Sequence, residues 1–327
     1  MHFSNETGCA ADLLRSEHGE DRLANALLVR VRYRIDRQQL VLLNAVEQYQ
    51  DLRRATEDLG DHGELSPDNF FPPVGTDVII LGDAVARHGP AVATRVDVSV
   101  GSYHVVLDVF GDRVWETPTR ATPAKPFERM PVTYRNAFGG AAKGPYGDLN
   151  WCHNPLGKGY FLSQEEAIGK ALPNIESPSR HVKNWEDRPE PVGLGPYPKS
   201  WGLRVMKLVH TDLAGQNVAI RPDEGMFSQA HPALSGRQVE AGVVEIVGMN
   251  SAGSVRFDLP VCPFEVLITL GEFEYIRDLN LQEILIDLRQ ADRDSTVVDL
   301  LYRKMFVYNF VPMISRRTIV RRKGSVS

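Results

Sequence analysis

The sequence has little cysteine and no long apolar run. Its three cysteines, Cys9, Cys152 and Cys262, are far apart, odd in number and without C-x-x-C spacing. This pattern disfavours a disulfide framework or a thiolate metal site and fits a reducing compartment. The longest apolar stretches, such as residues 78–81, are too short to cross a bilayer, and the N-terminus lacks the apolar core of a secretory signal. We therefore expect a cytoplasmic protein without membrane insertion.

The motifs of common cofactor sites are also missing. GGAAKG at 139–144 places its lysine before the last glycine and continues into Pro145, so it does not fit a phosphate-binding loop. Nucleophile-elbow, H-E-x-x-H and G-x-G-x-x-G patterns are absent, and the nine histidines show no metal-ligand spacing. We expect no cofactor and no metal. The formal net charge of −5 gives no reason to expect nucleic-acid binding.

Some residues could still carry chemistry. The acidic pairs at 165–166, 186–187 and 223–224 could serve general acid–base catalysis, but the first fits a helix N-terminus and the others lie in Pro- and Gly-rich turns. His153 follows Cys152 directly, and neighbours in a strand point to opposite faces. The basic residues at 316–323 are interpreted as a solvated tail. No catalytic residue is predicted.

Strand patterns dominate the chain. Residues 29–35 alternate apolar residues with arginines, which predicts a strand with one wet face, paired as a hairpin with residues 40–46. Gly101-Ser102 separates the alternating segments 96–100 and 103–109 and suits a type II′ turn. A third hairpin region is predicted at 241–270. Only two helices are expected, one after a capping box formed by Ser163 and Glu166, the other by propensity at 46–59.

Residues 123–204 are rich in proline, glycine and tryptophan, yet aromatic residues recur between the turn residues. Flexible linkers lack such aromatics, so this segment is predicted to be a large ordered loop region. We expect a mainly β fold with antiparallel sheets in two associated lobes, 1–122 and 205–327, joined by the loop region into one unit. Aromatic and basic side chains anchor interfaces, so the candidate partner-binding residues all come from the loop region: Arg135, Trp151, Asn154, Lys158, Tyr160, Trp185, Tyr197 and Trp201.

Five phrases taken together resemble domain-of-unknown-function family 2169: GTDVIILGDA (75–84), PFERMPVTYRNAFGG (126–140), NPLGKGYF (154–161), ALPNIESP (171–178) and GLGPYPKSWGLR (193–204). That family occurs beside bacterial type VI secretion genes and offers no established catalytic residues. The resemblance implies a cytoplasmic adaptor or chaperone that binds a secreted effector, or its PAAR-type or valine-glycine-repeat spike carrier. One departure is MFSQAHPAL (226–234), where the family often has an Ala-Pro-Pro-Asp-Gln type phrase.

Two alternatives remain open at this stage. One is a hydrolase-like enzyme whose acids converge only in the folded chain, and a deep pocket with two carboxylates would favour it. The other is a carbohydrate-binding β module that uses Trp151, Trp185 or Trp201, and solvent-exposed tryptophan faces would favour it. A broad, mostly apolar surface would favour the adaptor. The sequence predicts neither the cognate effector nor the oligomeric state.

Overall fold

The computed structural model confirms a mainly β protein. It describes residues 2–17, 22–197, 208–213, 217–222, 224–290, 296–309 and 314–324. The strands before the loop region are β1 (His2–Glu6), β2 (Ala10–Glu17), β3 (Arg22–Asp36), β4 (Gln39–Leu42), β5 (Glu57–Asp58), β6 (Glu64–Leu65), β7 (Asp77–Leu81), β8 (Asp83–Val85), β9 (Ala93–Val100), β10 (Tyr103–Phe110), β11 (Trp115–Thr117) and β12 (Arg120–Ala121).

The loop region contains only short elements. Its strands are β13 (Arg129–Pro131), β14 (Phe138–Gly139), β15 (Ala141–Gly144), β16 (Gly147–Asn150), β17 (Lys158–Gly159) and β18 (Ile175–Glu176). The strands after it are β19 (Leu208–Leu213), β20 (Asn217–Pro222), β21 (Gly242–Val247), β22 (Ser254–Leu259), β23 (Phe264–Leu270), β24 (Phe273–Asp278), β25 (Asn280–Asp287), β26 (Val297–Asn309) and β27 (Arg316–Arg322). Helical turns lie at Gly60–His62, Tyr134–Asn136, Gln164–Ala167 (α1), Glu224–Phe227 and Pro232–Leu234.

Three sheets make up most of the scaffold. The six-stranded sheet has the order β2-β3-β26-β25-β7, with β4 also paired to β3. A five-stranded sheet has the order β18-β10-β9-β21-β22, and a four-stranded sheet has the order β1-β27-β23-β24. Most pairs are antiparallel, but β7 runs parallel to β25, and β1 to β27. Strands from before and after the loop region therefore share the same sheets, so the boundaries at 122 and 205 do not separate two sheets.

The three predicted hairpin regions are confirmed. β3 and β4 pair through a turn in which Arg37 and Gln38 adopt φ of 45° and 67°, and a turn with two positive φ values matches the twist of the flanking strands. β9 and β10 pair across the predicted turn, with Gly101 at φ 55°. β21 pairs with β22, and β23 with β24. The predicted N-cap is confirmed, because the Glu166 N–H donates to Ser163 Oγ at 3.2 Å at the start of α1, while the Glu166 carboxylate accepts from the Leu162 N–H and not from that of Ser163 as in a complete capping box.

The helix predicted at 46–59 is wrong, because residues 46–56 form turns and irregular backbone and 57–58 form β5. Asn44 Oδ1 accepts the N–H groups of Val46 and Glu47, which fixes a turn at the start. Gln48 then binds the backbone of Arg32, its Nε2 donating to the carbonyl at 2.7 Å and its Oε1 accepting the N–H at 2.8 Å. These contacts with β3 outweigh the modest helix propensity of the segment.

The arginine face of β3 is covered rather than wet, which corrects a second expectation. Arg30 has no exposed surface and binds Asp68 at 2.5 Å and Glu283 at 3.1 Å. Arg32 is partly buried, binds Asp299 at 2.8 Å and lies 4.0 Å from the centre of the Tyr49 ring. Tyr49 and Asp68 come from the segment after β4, whereas Glu283 and Asp299 lie on β25 and β26 of the same sheet. Only the third arginine of the alternation, Arg34, is exposed.

The basic residues at 316–323 do not form a solvated tail either. Arg316–Arg322 is strand β27, which lies between β1 and β23. Val320 is fully buried on one face, and Arg321 binds Glu265 at 2.9 Å. Pairing of the backbone on both sides places these arginines in a sheet, and Arg322 lies over the buried ring of Phe264 and donates to the Thr7 carbonyl.

Candidate functional site

The loop region begins and ends on the edge of the largest sheet. β7 is the last strand of that sheet, and its four residues at 78–81 are buried, as their apolar run predicts. The N–H of Ile80 donates to the Leu194 carbonyl at 2.9 Å, and the N–H of Leu194 donates to the Val132 carbonyl at 3.0 Å. Val132 in turn donates to the Gly82 carbonyl at 3.1 Å. The two ends of the loop region therefore complete the backbone pairing of β7 and are fixed to it.

Between these ends the loop region has a hydrophobic cluster of its own. Loop residues such as Val132, Ile175 and Leu194 pack into the main hydrophobic core. Six further buried side chains form a separate cluster, and all but the first lie within the loop region: Trp115, Phe138, Phe161, Ala167, Leu172 and Val182. Aromatic side chains lie at the centre of the described part of this region, residues 123–197, in agreement with their recurrence in the sequence.

Two buried asparagines satisfy the irregular backbone around this cluster. Asn154 Nδ2 donates to the carbonyls of Tyr134 and Phe138 at 2.7 and 3.0 Å. Asn174 Nδ2 donates to the Phe110 carbonyl at 3.0 Å, and the N–H of Phe110 donates back to the Asn174 carbonyl at 2.7 Å. The backbone passes so close at Gly139 that an added Cβ would lie 2.1 Å from the Asn154 carbonyl oxygen. Such contacts hold the region rigidly and allow it to present a fixed surface.

Five side chains in successive contact form a half-buried row on this region, which we call the aromatic row: His153, Trp151, Tyr160, Arg188 and Trp185. The indole of Trp151 stacks on His153, with ring centres 5.0 Å apart, and lies 5.2 Å from the ring of Tyr160. Arg188 lies 5.1 Å from the centre of the Tyr160 ring and 6.0 Å from that of Trp185. The row thus combines large apolar surface with a central cation.

The two polar side chains of the row, His153 and Arg188, are held in place. His153 Nδ1 lies 2.8 Å from Glu190 Oε2. Arg188 Nη2 donates to the Phe161 carbonyl at 2.6 Å, and its Nη1 donates to the carbonyls of Trp185 and Asp187. The guanidinium is therefore fixed by the backbone rather than by a carboxylate, and its positive charge is not neutralised by an ion pair among these contacts. A preorganised row of this kind loses little side-chain entropy when it binds a partner.

Three of the predicted partner-binding residues meet in the aromatic row: Trp151, Tyr160 and Trp185. Arg135 is exposed, as a surface residue must be, but contacts none of them in the row. Lys158 is half-buried on β17, and burial lowers the pKa of its ammonium, against the opposing effect of Asp112. It is therefore a less accessible cation than its place in a turn-rich phrase suggested.

Two other candidates are placed inside the protein. Asn154 has no exposed surface, and Tyr197 is 8% exposed and packs edge-to-face on Tyr134 with ring centres 4.9 Å apart. Both side chains support the loop region from within and do not present a surface. Trp201 lies outside the described residues. We did not select Arg188 or His153 as binding residues from the sequence, because the contacts that join them to the row are tertiary.

The acidic pairs within the described residues behave as turn and cap groups. Glu166 accepts the N–H groups of Lys143 and Leu162, and Asp187 accepts those of Lys183 and Asn184 at 2.7 and 2.9 Å. Asp187 thus closes a local backbone turn, as interpreted from the sequence, whereas Glu166 also joins α1 to β15. The GGAAKG stretch runs from β14 into strand β15, which pairs with β16, and does not precede a helix as a phosphate-binding loop would.

A buried polar cluster elsewhere contains the carboxylates that the enzyme alternative calls for. Asp68, Asp77 and Glu283 line one cavity together with Arg303, but its volume is only about 20 Å³. That volume holds about one water molecule, whereas small-molecule sites span roughly 300–1,000 Å³. The cluster accordingly resembles a structural network more than a substrate pocket.

Asp77 gives this cluster a pH dependence. Its carboxylate accepts hydrogen bonds from Ser228 Oγ, Ser235 Oγ and the Gln229 N–H at 2.6, 2.8 and 2.6 Å. Burial nevertheless raises the pKa of Asp77 to about 6, against the effect of these three bonds. Since its pKa in the unfolded chain is lower, the folded state favours the protonated acid. Its contribution to stability is complete at low pH and is lost as the pH rises through about 6.

We therefore expect Asp77→Asn, which does not titrate, to gain stability relative to the wild type as the pH rises. The difference in free energy of unfolding should shift by about 3 kcal/mol between pH 4 and pH 7, because one pKa unit corresponds to about 1.4 kcal/mol. Urea unfolding of both proteins at several pH values measures it. A difference that stays constant, or that shifts in favour of the wild type, contradicts the raised pKa.

The described residues lack two further kinds of feature. They contain no group of three or more histidine, cysteine, aspartate or glutamate side chains placed to hold a metal ion. Within the same part of the chain, no helix has the length and apolar character needed to cross a bilayer.

The scaffold and its rigid aromatic segment define a mainly β protein of mixed sheets with a separately packed surface region. Residues 20–303 match the family described as "Uncharacterized protein conserved in bacteria (DUF2169)", and the chain belongs to that family. This confirms the family resemblance found in the sequence. Comparisons with curated proteins and with solved structures found no match.

Proposed function

We propose that this protein is a non-enzymatic adaptor of type VI secretion. In this proposal it binds a secreted effector, or the PAAR-type or valine-glycine-repeat spike protein that carries the effector, in the cytoplasm before export. The observation that carries the proposal is the aromatic row, a half-exposed set of aromatic side chains around Arg188 on a rigid segment. Tryptophan, tyrosine and arginine dominate the binding energy of protein interfaces.

The geometry of the row favours a protein partner over a sugar. A sugar-binding tryptophan needs an open ring face, but Trp151 stacks on His153 at an interplanar angle of 25° and has Tyr160 beside it. The row therefore offers ring edges and a guanidinium, which suit the mixed apolar and polar surface of a protein. The type VI secretion assignment itself depends on the family resemblance of the quoted phrases.

We expect Trp151→Ala combined with Trp185→Ala to abolish retention of the partner while the protein stays folded. Loss of two interface anchors should weaken binding by roughly 1,000-fold, since each anchor contributes about 2 kcal/mol or more, which is about 30-fold. The measurement is co-purification of tagged protein with the toxin or spike protein encoded by a neighbouring gene. Circular dichroism checks the fold of the variant.

Tyr146→Ala is the matched control, because Tyr146 is a fully exposed aromatic residue of the same region that lies outside the row. It should retain the partner at the wild-type level. If Tyr146→Ala loses the partner to the same extent, the aromatic row has no special role in binding. If the wild-type protein retains neither partner and effector delivery survives its deletion, the adaptor proposal fails and the hydrolase and carbohydrate-binding alternatives reopen.

A further inference from the structure

The central cation of the aromatic row has hydrogen-bond donors that the protein does not use. A guanidinium carries five N–H groups, and Arg188 makes three hydrogen bonds, all to backbone carbonyls. Its Nε has no hydrogen-bond partner among the described residues, yet Nε is not one of the buried unpartnered atoms, so it is open to solvent. The N–H of Nε and one N–H of Nη2 therefore remain for an acceptor from outside.

The carboxylates nearest to Arg188 in the sequence do not neutralise it. Asp187 Oδ2 accepts two backbone N–H groups, and Glu190 Oε2 lies 2.8 Å from His153 Nδ1. Glu186 is exposed, and no carboxylate of the described residues forms an ion pair with the guanidinium. Because the backbone fixes this half-buried cation before binding, its charge is available to a partner at little cost in side-chain entropy.

The rings beside Arg188 determine what surrounds a group that binds it. The guanidinium carbon lies 6.0 Å from the centre of the Trp185 ring and 5.1 Å from that of Tyr160. Alternate side chains of an extended strand lie on one face and about 6.6 Å apart, which is close to these distances. An extended segment can therefore place one side chain on Arg188 and the side chains two residues before and after it on the two rings.

We propose that the aromatic row binds an extended segment of the partner protein in which an aspartate or glutamate has an apolar residue two positions away on each side. The carboxylate accepts the remaining N–H groups of Arg188, and the apolar side chains cover the rings of Trp185 and Tyr160. Covering the rings also excludes water from the ion pair, which strengthens it. Because the segment belongs to the partner of the adaptor, the proposal rests on the proposed function.

Three heptapeptides with blocked ends are the probes, and purified full-length protein is sufficient. The first is Gly-Leu-Thr-Asp-Thr-Leu-Gly, and the other two carry asparagine or lysine in place of the aspartate. NMR titration of the tryptophan indole N–H signals measures each affinity. The indoles of Trp151 and Trp185 report on the row, and that of Trp115, which is 2% exposed, is the internal control.

We expect the aspartate peptide to shift the signals of Trp151 and Trp185 and to bind about tenfold more tightly than the asparagine peptide. The reason is that hydrogen bonds to a charged acceptor are about twice as strong as neutral ones. The lysine peptide should bind most weakly, because its ammonium group meets the like charge of Arg188.

Arg188→Gln should remove the preference for aspartate over asparagine. Arg188→Lys keeps the charge but not the fork of donors, so it should reduce the preference. Arg135→Gln is the matched control, because Arg135 is an exposed arginine of the same region outside the row, and it should keep the full preference. An unchanged indole signal of Trp115 shows that a variant is folded. If Arg188→Gln does not fold, the peptide comparison with the wild type and Arg188→Lys decides.

Several results would overturn the proposal: no shift of the Trp151 and Trp185 signals, equal affinity for the aspartate and asparagine peptides, tightest binding of the lysine peptide, or a full aspartate preference in folded Arg188→Gln. Failure here differs from failure of the adaptor function. If the neighbouring toxin or spike protein is retained through the row but the aspartate peptide is not preferred, the adaptor stands and the acidic segment is wrong. If the aspartate peptide is preferred but neither protein is retained, the acidic site stands and the adaptor function fails.

Discussion

Replacing Arg30 with methionine is expected to lower the free energy of unfolding by about 3–5 kcal/mol. Arg30 is fully buried, and its Nη2 lies 2.5 Å from Asp68 and 3.1 Å from Glu283. Methionine keeps much of the volume but leaves two buried carboxylates without their principal partner. Removing one member of a buried ion pair lowers stability far more than replacing both members with apolar residues, because the remaining charge stays buried without hydration. Urea unfolding at neutral pH measures the effect.

The pH dependence of that loss identifies its cause. Burial alone would raise the pKa of Asp68, but pairing with Arg30 overrides this and lowers it. In the wild type, the contribution of Asp68 is present above its unfolded pKa and is lost as the pH falls through its lower folded pKa. In Arg30→Met no ion pair lowers the pKa of Asp68, so the buried carboxyl is protonated more easily. The difference in free energy of unfolding between this variant and the wild type should therefore narrow towards pH 4.

Arg34→Met is the matched control, because Arg34 lies on the same face of β3 and is exposed. It should change stability by no more than about 0.5 kcal/mol, the usual range for a surface residue. Comparable losses at the two positions, or a loss at Arg30 that does not vary with pH, would show that the buried ion network contributes little.

This contrast also shows what the sequence could predict. The alternation at residues 29–35 predicted the strand correctly, because period two is a local property of the chain, but not that its arginine face is covered. It could not predict that Arg30 is buried, since the cover comes from the irregular segment around Asp68 and from Glu283, which is 253 residues away. The helix predicted at 46–59 failed for the same reason. Local propensity does not include the contacts of Gln48 with β3.

The sheet topology could not be predicted from local sequence patterns either. The parallel pairs of β1 with β27 and of β7 with β25 join opposite parts of the chain, and no turn residue announces them. Aromatic recurrence selected Trp151, Tyr160 and Trp185, which the structure brings together in the aromatic row, and their role in partner binding stays a prediction. Composition could not separate these half-exposed rings from Tyr197, which is buried, because both kinds occur between the same turn residues.

Trp115→Ala is expected to be the most damaging single change to the loop region, lowering the free energy of unfolding by about 3–5 kcal/mol. Trp115 is 2% exposed and packs in the hydrophobic cluster of the loop region. Its backbone also joins β11 to the segment after α1, since its N–H donates to the Lys170 carbonyl at 3.1 Å and its carbonyl accepts from Gly169 at 2.8 Å. Truncation leaves a cavity at the point where the loop region meets the scaffold.

Trp151→Ala separates this structural role from the proposed binding role. Trp151 is only half-buried, so its loss should lower stability by about 1–2 kcal/mol. Urea unfolding and limited proteolysis of both variants distinguish the cases. Because Trp115 lies under the region and Trp151 lies on it, Trp115→Ala should expose residues 138–182 to early cleavage and lose partner retention through local unfolding. Trp151→Ala should resist cleavage yet bind the partner more weakly. Suppose instead that Trp115→Ala lowers stability no more than Trp151→Ala and resists proteolysis. The hydrophobic cluster of the loop region then does not hold that region in place, and the rigidity of the aromatic row must come from the contacts with β7 alone.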